Sequence, residues 1–270
     1  MNLGPDAARL WLAGDGVPVP RPFHLRVLLP ALCGQSLRRW WAVWGASWAL
    51  VAAGMLSWRL AAGDAWQVAV AATALLVGLP GVLGPKVTIP VGVDLPALGL
   101  GLMGVAALEV GWWPVALVVF GVAAATKESA PVWAALWAWS LVPLVALVVP
   151  AVVAIVRRPG PDPLGPQFQR IADRPILTAW EHHRGRWRDG RLWVAPWGLA
   201  LVGLVGMDWR LGVVLLVAHL QTLIATDTVR LVQTAAGPAL VVAAAHVIPV
   251  EWLVLACVLH VFWFWKVERV

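Results

Sequence analysis

The feature that most constrains this chain is a series of long apolar runs separated by short polar breaks. Hydrophobic residues make up 61% of the 270 residues, charged residues 13%, and the mean hydropathy is +0.80. A single soluble core cannot bury so large an apolar excess, so the pattern predicts a polytopic membrane protein. Because the alternation typical of barrel strands is absent, and lipid offers no partner to a backbone N–H or C=O, the runs are predicted to be helices.

We therefore expect an all-α, integral membrane bundle with about nine transmembrane helices. Several runs are short for a hydrocarbon thickness of about 30 Å, which suits helices that end at a water-filled cavity. The predicted spans cover residues 40–60, 66–84, 95–109, 112–125, 130–156, 192–207, 211–225, 231–248 and 250–265.

This pattern divides the chain into four segments. Residues 1–39, in which prolines and arginines alternate with apolar residues, are expected to form an amphipathic segment on the membrane surface. Residues 40–156 form a first bundle of about five spans, residues 157–191 a basic loop, and residues 192–270 a second bundle of about four spans. The polar start of the chain does not resemble the core of a signal peptide, so no cleavage is expected.

The distribution of charge predicts an orientation in the membrane. The formal net charge is +6, and in a chain this apolar the basic residues suit cytoplasmic loops and anionic lipid headgroups better than nucleic acid. Loop 157–191 has the largest basic excess and is predicted to be cytoplasmic, which places the N-terminus outside when nine spans alternate. The preference for arginine over lysine, with abundant Ala, Val, Gly and Trp, favours a bacterial or phage origin and thus a bacterial plasma (inner) membrane.

Three patterns that often mark ligand sites are interpreted as structural. Gly99, Gly101 and Gly104 spell GxGxxG, but no strand precedes them, so we expect close helix packing and not nucleotide binding. The histidines form no HExxH or comparable spacing, and Cys33 and Cys257 lack metal-ligand neighbours in sequence. Neither a metal site nor another cofactor is predicted.

Charged residues beside the apolar runs are more informative, because a charge near the bilayer centre costs about 2.5–3.5 kcal/mol. Lys127 and Glu128 lie in a four-residue break between two runs, which is either a solvated turn or a site held between two helices. Asp94 begins a span, where a helix-capping carboxylate is the alternative interpretation. Asp227 and Arg230 are three residues apart and can form an ion pair on one helix face, which is the structural alternative for both.

The N-terminal segment contributes two further candidates. The sequence from Pro5 to Leu12, PDAARLWL, predicts a short amphipathic helix with Asp6 in its first turn and Arg9 one turn later. The stretch RPFHLRVLLP at residues 21–30 is basic, is bounded by prolines and carries Arg26 ahead of the first predicted span.

In these stretches the chain resembles the polytopic glycosyltransferases of the GT-C type, which transfer sugars from polyprenyl-phosphate carriers at the outer membrane face. The resemblance is carried by the aspartate-bearing N-terminal segment with RPFHLRVLLP at 21–30, by ATKESAP at 125–131 and by the Asp-x-x-Arg sequence at 227–230. Unlike typical members, this chain is predicted to have no span before the aspartate-bearing segment and no soluble acceptor-binding domain. It is thus expected to be a reduced or divergent member.

The resemblance implies an inverting displacement at the anomeric carbon of the sugar, which requires a carboxylate to take the proton of the acceptor. Asp6 is the predicted catalytic base, and Asp94 is a second candidate. The implied partners are a polyprenyl-phosphate sugar and the membrane lipids, with no cofactor.

The same resemblance implies a substrate-binding set around the lipid phosphate. Arg26 and Lys127 would stabilise its developing negative charge, and Glu128 would hold Lys127 in place. Asp227 and Arg230 complete the predicted set, although a nine-span topology places them on the inner face.

Two other classes of protein are the alternatives. A non-catalytic membrane scaffold or inactive family member would not depend on a charged cluster. A small transporter should have polar or broken helices near the bilayer centre, whereas the predicted spans are mostly Ala, Val, Leu, Gly and Trp with charges at their ends.

Overall fold

A computed structural model of the chain describes residues 5–20, 22–79, 82, 91–164, 174–184, 195–223 and 228–259. These residues form α-helices, short 3₁₀ segments and connecting turns, and no strand occurs among them. The all-α prediction is therefore confirmed.

The α-helices range from 6 to 25 residues in length. The α-helices are α1 (Pro5–Ala13), α2 (Leu28–Cys33), α3 (Leu37–Ala61), α4 (Trp66–Val77), α5 (Asp94–Glu109), α6 (Trp113–Thr126), α7 (Ala130–Ala138), α8 (Val148–Val156), α9 (Pro175–His183), α10 (Trp209–Leu220) and α11 (Thr228–Val247). The 3₁₀ segments cover Phe23–Leu25, Val142–Leu147, Ala195–Gly206, Gln221–Leu223 and Val250–Trp252.

The chain divides into two compact units that do not coincide with the four segments predicted from hydropathy. The second unit includes α4, which the sequence analysis assigned to the first bundle. The first unit comprises Met1–Trp58 and Lys86–Ala172, and the second comprises Arg59–Pro85 and Asp173–Val270.

Small residues bring the helices of the first unit close together. A Cβ atom added to Gly54 of α3 would lie 2.8 Å from the Cβ of Leu102 on α5, and one added to Gly99 of α5 would lie 2.9 Å from the backbone of α3. Gly104, also on α5, lies directly against the ring of Phe120 on α6. The expectation that the GxGxxG sequence packs helices is thus confirmed.

The stretch 130–156, predicted to be one span, folds back on itself. A continuous helix of this length would be about 40 Å long, yet both of its ends lie near the same N-terminal residues: Glu128 bonds to Arg26, and α8 contacts Phe23–Leu25. The reversal occurs at Trp139, which has the left-handed φ of 49° that is uncommon for a bulky residue. The single-span prediction is wrong, because both arms are equally apolar and hydropathy does not reveal the turn.

The second unit is built around α11, which packs against the segment Ala195–Gly206, α4 and α10. Gly203 permits the first of these contacts, since a Cβ atom there would lie 2.5 Å from a carbonyl oxygen of α11. Asp208 begins α10, and its carboxylate accepts a hydrogen bond of 2.8 Å from the backbone N–H of Leu211. This is a side-chain N-cap, which satisfies a backbone donor that has no partner within the helix.

Within the described part of the chain, no individual helix has both the length and the apolar composition needed to cross a bilayer. Arg230–Val247 and Val250–Leu259 meet the two criteria only when taken together, and these arms are bent by 116°. Shorter apolar helices include α4, α6 and α10.

Candidate functional site

The N-terminal segment packs into the first unit through a buried apolar side. Leu10, Phe23 and Trp40 are almost completely buried, and they share a core with Val91 and Val93, which precede α5. This packing fixes the backbone from α1 to α3 against the start of α5. The polar residues of the segment are therefore held at defined positions beside the rest of the unit.

Arg26 is held by a two-pronged ion pair with Glu128. Its Nε and Nη2 groups each donate a hydrogen bond of 3.1 Å to one carboxylate oxygen, and the backbone N–H of Val27 donates to the carbonyl of Ala125 at 3.1 Å. Burial alone would lower the pKa of Arg26, but the neighbouring Glu128 carboxylate contributes to a net increase. Burial alone would raise the pKa of Glu128, but the Arg26 guanidinium and the hydrogen bonds lower it overall. Both groups are therefore charged at neutral pH.

Lys127 and Asp94 form a second ion pair, which joins α6 to α5. The Nζ atom of Lys127 lies 2.7 Å from Oδ1 of Asp94, and both side chains are about nine-tenths buried. Lys127 directly follows the last turn of α6, and Asp94 lies in the first turn of α5. The solvated-turn alternative for Lys127 is thus wrong, because the short break directs this side chain into the unit.

A third set of charges connects α1 with residues beyond α8. Nε and Nη2 of Arg9 donate hydrogen bonds of 3.1 and 2.7 Å to the two carboxylate oxygens of Asp162, and both side chains are buried. Asp6 lies in the first turn of α1, as predicted, 3.8 Å from Arg9. Its side chain is 41% exposed and is thus the accessible carboxylate of this set.

These three sets lie close together, since the guanidinium carbons of Arg9 and Arg26 lie 5.6 and 4.8 Å from the centroid of the same ring, that of Phe23. Burial and Glu128 have the largest effects on the pKa of Arg26. The carboxylates of Asp94 and Asp6 come next in size, and both raise this pKa. The structure therefore brings together five of the seven residues that the sequence analysis singled out. The cluster consists of Asp6, Arg26, Asp94, Lys127 and Glu128, and we refer to it as the charged cluster.

The remaining two predicted site residues are not part of the charged cluster. Asp227 lies outside the described residues. Arg230 lies in the first turns of α11 and belongs to the second unit.

An open cavity of about 300 Å³ adjoins the charged cluster. It is lined by Arg26, His24 and Phe23 from the N-terminal segment and by Arg157 and Arg158, which follow α8, together with residues of the α1-to-Phe23 connection. The cavity is therefore a basic recess formed by two stretches of chain that are distant in sequence.

The cavity brings together two stretches for which the sequence predicts opposite sides of a membrane. Arg157 and Arg158 belong to the loop that was assigned to the cytoplasmic face, whereas Arg26 belongs to the segment assigned to the outside. Since Asp162 bonds to Arg9, the start of this loop and the N-terminal segment lie on one face of the first unit. The two stretches are thus in contact, and the side of the membrane on which they lie stays a prediction.

The sequence analysis did not identify Arg9, Asp162, Arg157 or Arg158 as members of a site. The sequence pattern marks Arg9 only as the residue one turn after Asp6, and its ion-pair partner is 153 residues away in sequence. No local pattern marks such a pair, so three-dimensional information was needed to find it.

Comparison of the chain with protein-family models, with curated proteins and with solved structures gives no match. These comparisons supply no function by similarity. The charged cluster, the basic cavity and the resemblance in sequence pattern are the features that bear on function.

Proposed function

We propose that the chain is an integral membrane glycosyltransferase that moves a sugar from a polyprenyl-phosphate carrier to an acceptor at one membrane face, which the resemblance implies is the outer face. The observation that carries this proposal is the charged cluster. Its members come from three separate stretches of sequence that meet in one unit, and two of these stretches, the N-terminal segment and residues 125–131, resemble the same class of transferase.

Exposed apolar side chains support the membrane part of the proposal. They recur every three or four residues along α6 and along the segment from 141 to 156, and these helices are in contact. Soluble monomers seldom expose apolar surface of this extent, whereas lipid solvates it without cost. The exposed residues are Val115, Val118, Val122, Leu141, Val145, Val148, Val152, Ile155 and Val156.

The ends of α6 fit the chemistry of a membrane interface. Trp112 and Trp113 are exposed at its N-terminal end, and the charged cluster begins at Lys127, just past its C-terminal end. A 14-residue helix is about 21 Å long, which is shorter than the hydrocarbon core of about 30 Å. Indole rings prefer the lipid–water boundary, so this spacing supports a charged cluster located near one interface.

Asp6 is a better candidate for the catalytic base than Asp94. The base must reach the acceptor hydroxyl, and Asp6 is partly exposed whereas Asp94 is buried against Lys127 at 2.7 Å. In the proposed step, Asp6 accepts the hydroxyl proton while the acceptor oxygen forms a bond to the anomeric carbon. The bond from that carbon to the phosphate oxygen breaks, and its electron pair leaves with the polyprenyl phosphate. Attack and departure occur on opposite sides of the carbon, so the configuration is inverted.

Arg26 is the cluster residue placed to meet the leaving phosphate, because it lines the basic cavity. A fixed guanidinium stabilises charge that develops on a phosphate oxygen. Glu128 holds Arg26 in position, which differs from its predicted partnership with Lys127. Lys127 is instead joined to Asp94 and supports the turn that carries Glu128.

The proposal is tested by release of prenyl phosphate from prenyl-phosphate hexoses and pentoses, using the purified full chain in detergent with membrane extract as acceptor. Asp6→Asn should lower turnover by about 100-fold or more, the usual contribution of a general base. Asp15→Asn removes a carboxylate from an exposed position shortly after α1 and serves as the matched control. Equal activity in the two variants would refute the assignment of Asp6, and no release from any donor by the unmodified chain would refute the transferase.

A non-catalytic scaffold is the second candidate, and one observation favours it. In three ion pairs each charge is neutralised by its partner, as expected of charges that stabilise a fold. These pairs are Arg9–Asp162, Arg26–Glu128 and Lys127–Asp94. A scaffold predicts that Asp6→Asn and Asp15→Asn do not differ in the prenyl-phosphate release assay, since a protein without catalysis has no activity for Asp6 to support.

A further inference from the structure

The basic cavity has more positive charge than its own surroundings neutralise. Three arginines, Arg26, Arg157 and Arg158, are among its lining residues, and the described lining contains no acidic residue. Arg26 is paired with Glu128, but the exposed side chains of Arg157 and Arg158 form no ion pair with any residue that the structure describes. A recess lined by charges of one sign attracts a ligand of the opposite sign.

The backbone that carries the two exposed arginines is fixed by contacts just after it. The backbone N–H of Gly160 donates a hydrogen bond of 3.0 Å to the carbonyl of Val19. Gly160 also lies so close to Pro18 that an added Cβ atom would overlap its ring. Two residues further on, Asp162 is locked to Arg9 by two hydrogen bonds. The backbone of Arg157 and Arg158 is thus held between these contacts and the end of α8. We refer to this stretch as the rim of the cavity.

We propose that this cavity binds the phosphate group of a lipid phosphate through Arg157, Arg158 and Arg26. The planar guanidinium group matches the oxygens of a phosphate with paired hydrogen bonds. A volume of about 300 Å³ is at the lower end of small-molecule sites, so it accommodates a headgroup and excludes most of a lipid chain. The inference names the donor site of the proposed transferase and rests on that function for the identity of the ligand.

The apolar surface next to the arginines is the reason for choosing a lipid over free phosphate. Val152, Ile155 and Val156 are exposed on the last turns of α8, immediately before Arg157. A prenyl chain that leaves the cavity along α8 would cover these side chains, whereas inorganic phosphate would leave them exposed. Burial of apolar surface then adds to the affinity of the lipid form.

Binding is measured without turnover, by calorimetric titration of the purified full chain in detergent with farnesyl phosphate, farnesol or inorganic phosphate. Farnesyl phosphate should bind more tightly than either of the others. Because each charge-assisted hydrogen-bonding group contributes about a tenfold effect, Arg157→Gln/Arg158→Gln should weaken this binding by about 100-fold. The double variant Arg38→Gln/Arg39→Gln changes the net charge equally at exposed positions on α3 and should bind as the unmodified chain does.

A second variant moves the arginines without removing a charge. Gly160→Ala displaces the rim from Pro18 and should weaken farnesyl phosphate binding, whereas Gly45→Ala adds a methyl group where nothing lies within 4 Å and should not. Unchanged affinity in Gly160→Ala would contradict the inference that the contacts of Gly160 hold the rim in the binding position.

Three results would overturn the lipid-phosphate site. The first is an equal loss of affinity for farnesyl phosphate in the two double-arginine variants. The second is equal affinity for farnesol and farnesyl phosphate, and the third is inorganic phosphate binding as tightly as farnesyl phosphate. Each is separable from failure of the transferase. Sugar transfer with undiminished farnesyl phosphate binding in Arg157→Gln/Arg158→Gln would refute this site alone, and tight binding without transfer from any donor would refute the transferase alone.

Discussion

Replacement of Lys127 by methionine is the most informative test of the charged cluster as a packed structure. The substitution removes an ammonium group 2.7 Å from the buried carboxylate of Asp94. Removing one partner of a buried ion pair costs about 3–5 kcal/mol. The position of Asp94 in the first turn of α5 lets the helix dipole recover about 0.3–1 kcal/mol of this. We therefore expect Lys127→Met to lower the free energy of unfolding by about 3 kcal/mol.

The same pair provides its own control in a double-mutant cycle. Asp94→Asn/Lys127→Met replaces both charges by neutral groups of similar size, and removal of a whole buried pair is often neutral. We expect the double variant to be more stable than Lys127→Met alone, with a coupling energy of about 2 kcal/mol or more. Arg38→Met, which removes one exposed positive charge from α3, controls for net charge.

The assay is detergent-induced unfolding of the full chain followed by fluorescence of its 20 tryptophans. Free energies are compared for the four members of the cycle under one set of conditions. A loss below about 1 kcal/mol in Lys127→Met, the size typical of an exposed pair, would refute the reasoning. A coupling energy near zero would refute it as well, because the two side chains would then act independently.

Three further predictions concern single positions. Because the pKa of Glu128 is lowered on folding, its contribution to stability is present above the ordinary pKa of 4.5 and is lost as the pH falls through the lower pKa of the folded state. Glu128→Gln should therefore flatten the acid side of a plot of melting temperature against pH. Gly104→Ala forces a methyl group against Phe120 and should cost about 1–3 kcal/mol in thermal unfolding, whereas Gly45→Ala should be neutral or stabilising; equal effects would contradict the close packing. Asp208→Ala should cost about 1 kcal/mol and Asp208→Asn much less, which would identify the N-cap of α10 by its hydrogen bond.

The features predicted correctly from the sequence are local ones. Asp6 lies in the first turn of α1 and Asp94 in the first turn of α5, as the start signals of helices indicate. The glycines of α5 pack against neighbouring helices, as small residues in an apolar run predict. Each of these rules depends on residues within a turn or two, so one sequence contains the necessary information.

The features that the sequence analysis missed depend on the path of the chain. The left-handed Trp139 lies in an apolar run and has no glycine to mark the turn. Arg9 and Asp162 are buried charges that become favourable only because they meet. Hydropathy assigned Arg157 and Arg158 to a solvated loop, and only the reversal at Trp139 reveals that they line a cavity with Arg26.

For the proposed membrane protein, the Arg9–Asp162 ion pair also changes which arginines are expected on the same side of the bilayer. The predicted topology separated segment 1–39 from loop 157–191, but the reversal in 130–156 places the start of that loop beside the N-terminal segment. The arginines of both stretches then count toward the same face. The positive-inside rule favours a cytoplasmic position for a face this basic, whereas the resemblance to GT-C transferases implies an outer one.

Cysteine labelling separates these two positions without knowledge of the substrate. Asp15→Cys and Leu164→Cys place single thiols at exposed positions, one shortly after α1 and one two residues after Asp162, in a chain whose Cys33 and Cys257 are replaced by alanine. Because both positions lie on one face of the first unit, they should react together with a membrane-impermeant maleimide. Reaction in intact cells supports transfer at the outer face, and reaction only after lysis refutes the outer-face part of the proposed function. Labelling from opposite sides would contradict the Arg9–Asp162 contact itself, because residues in contact cannot be separated by a bilayer.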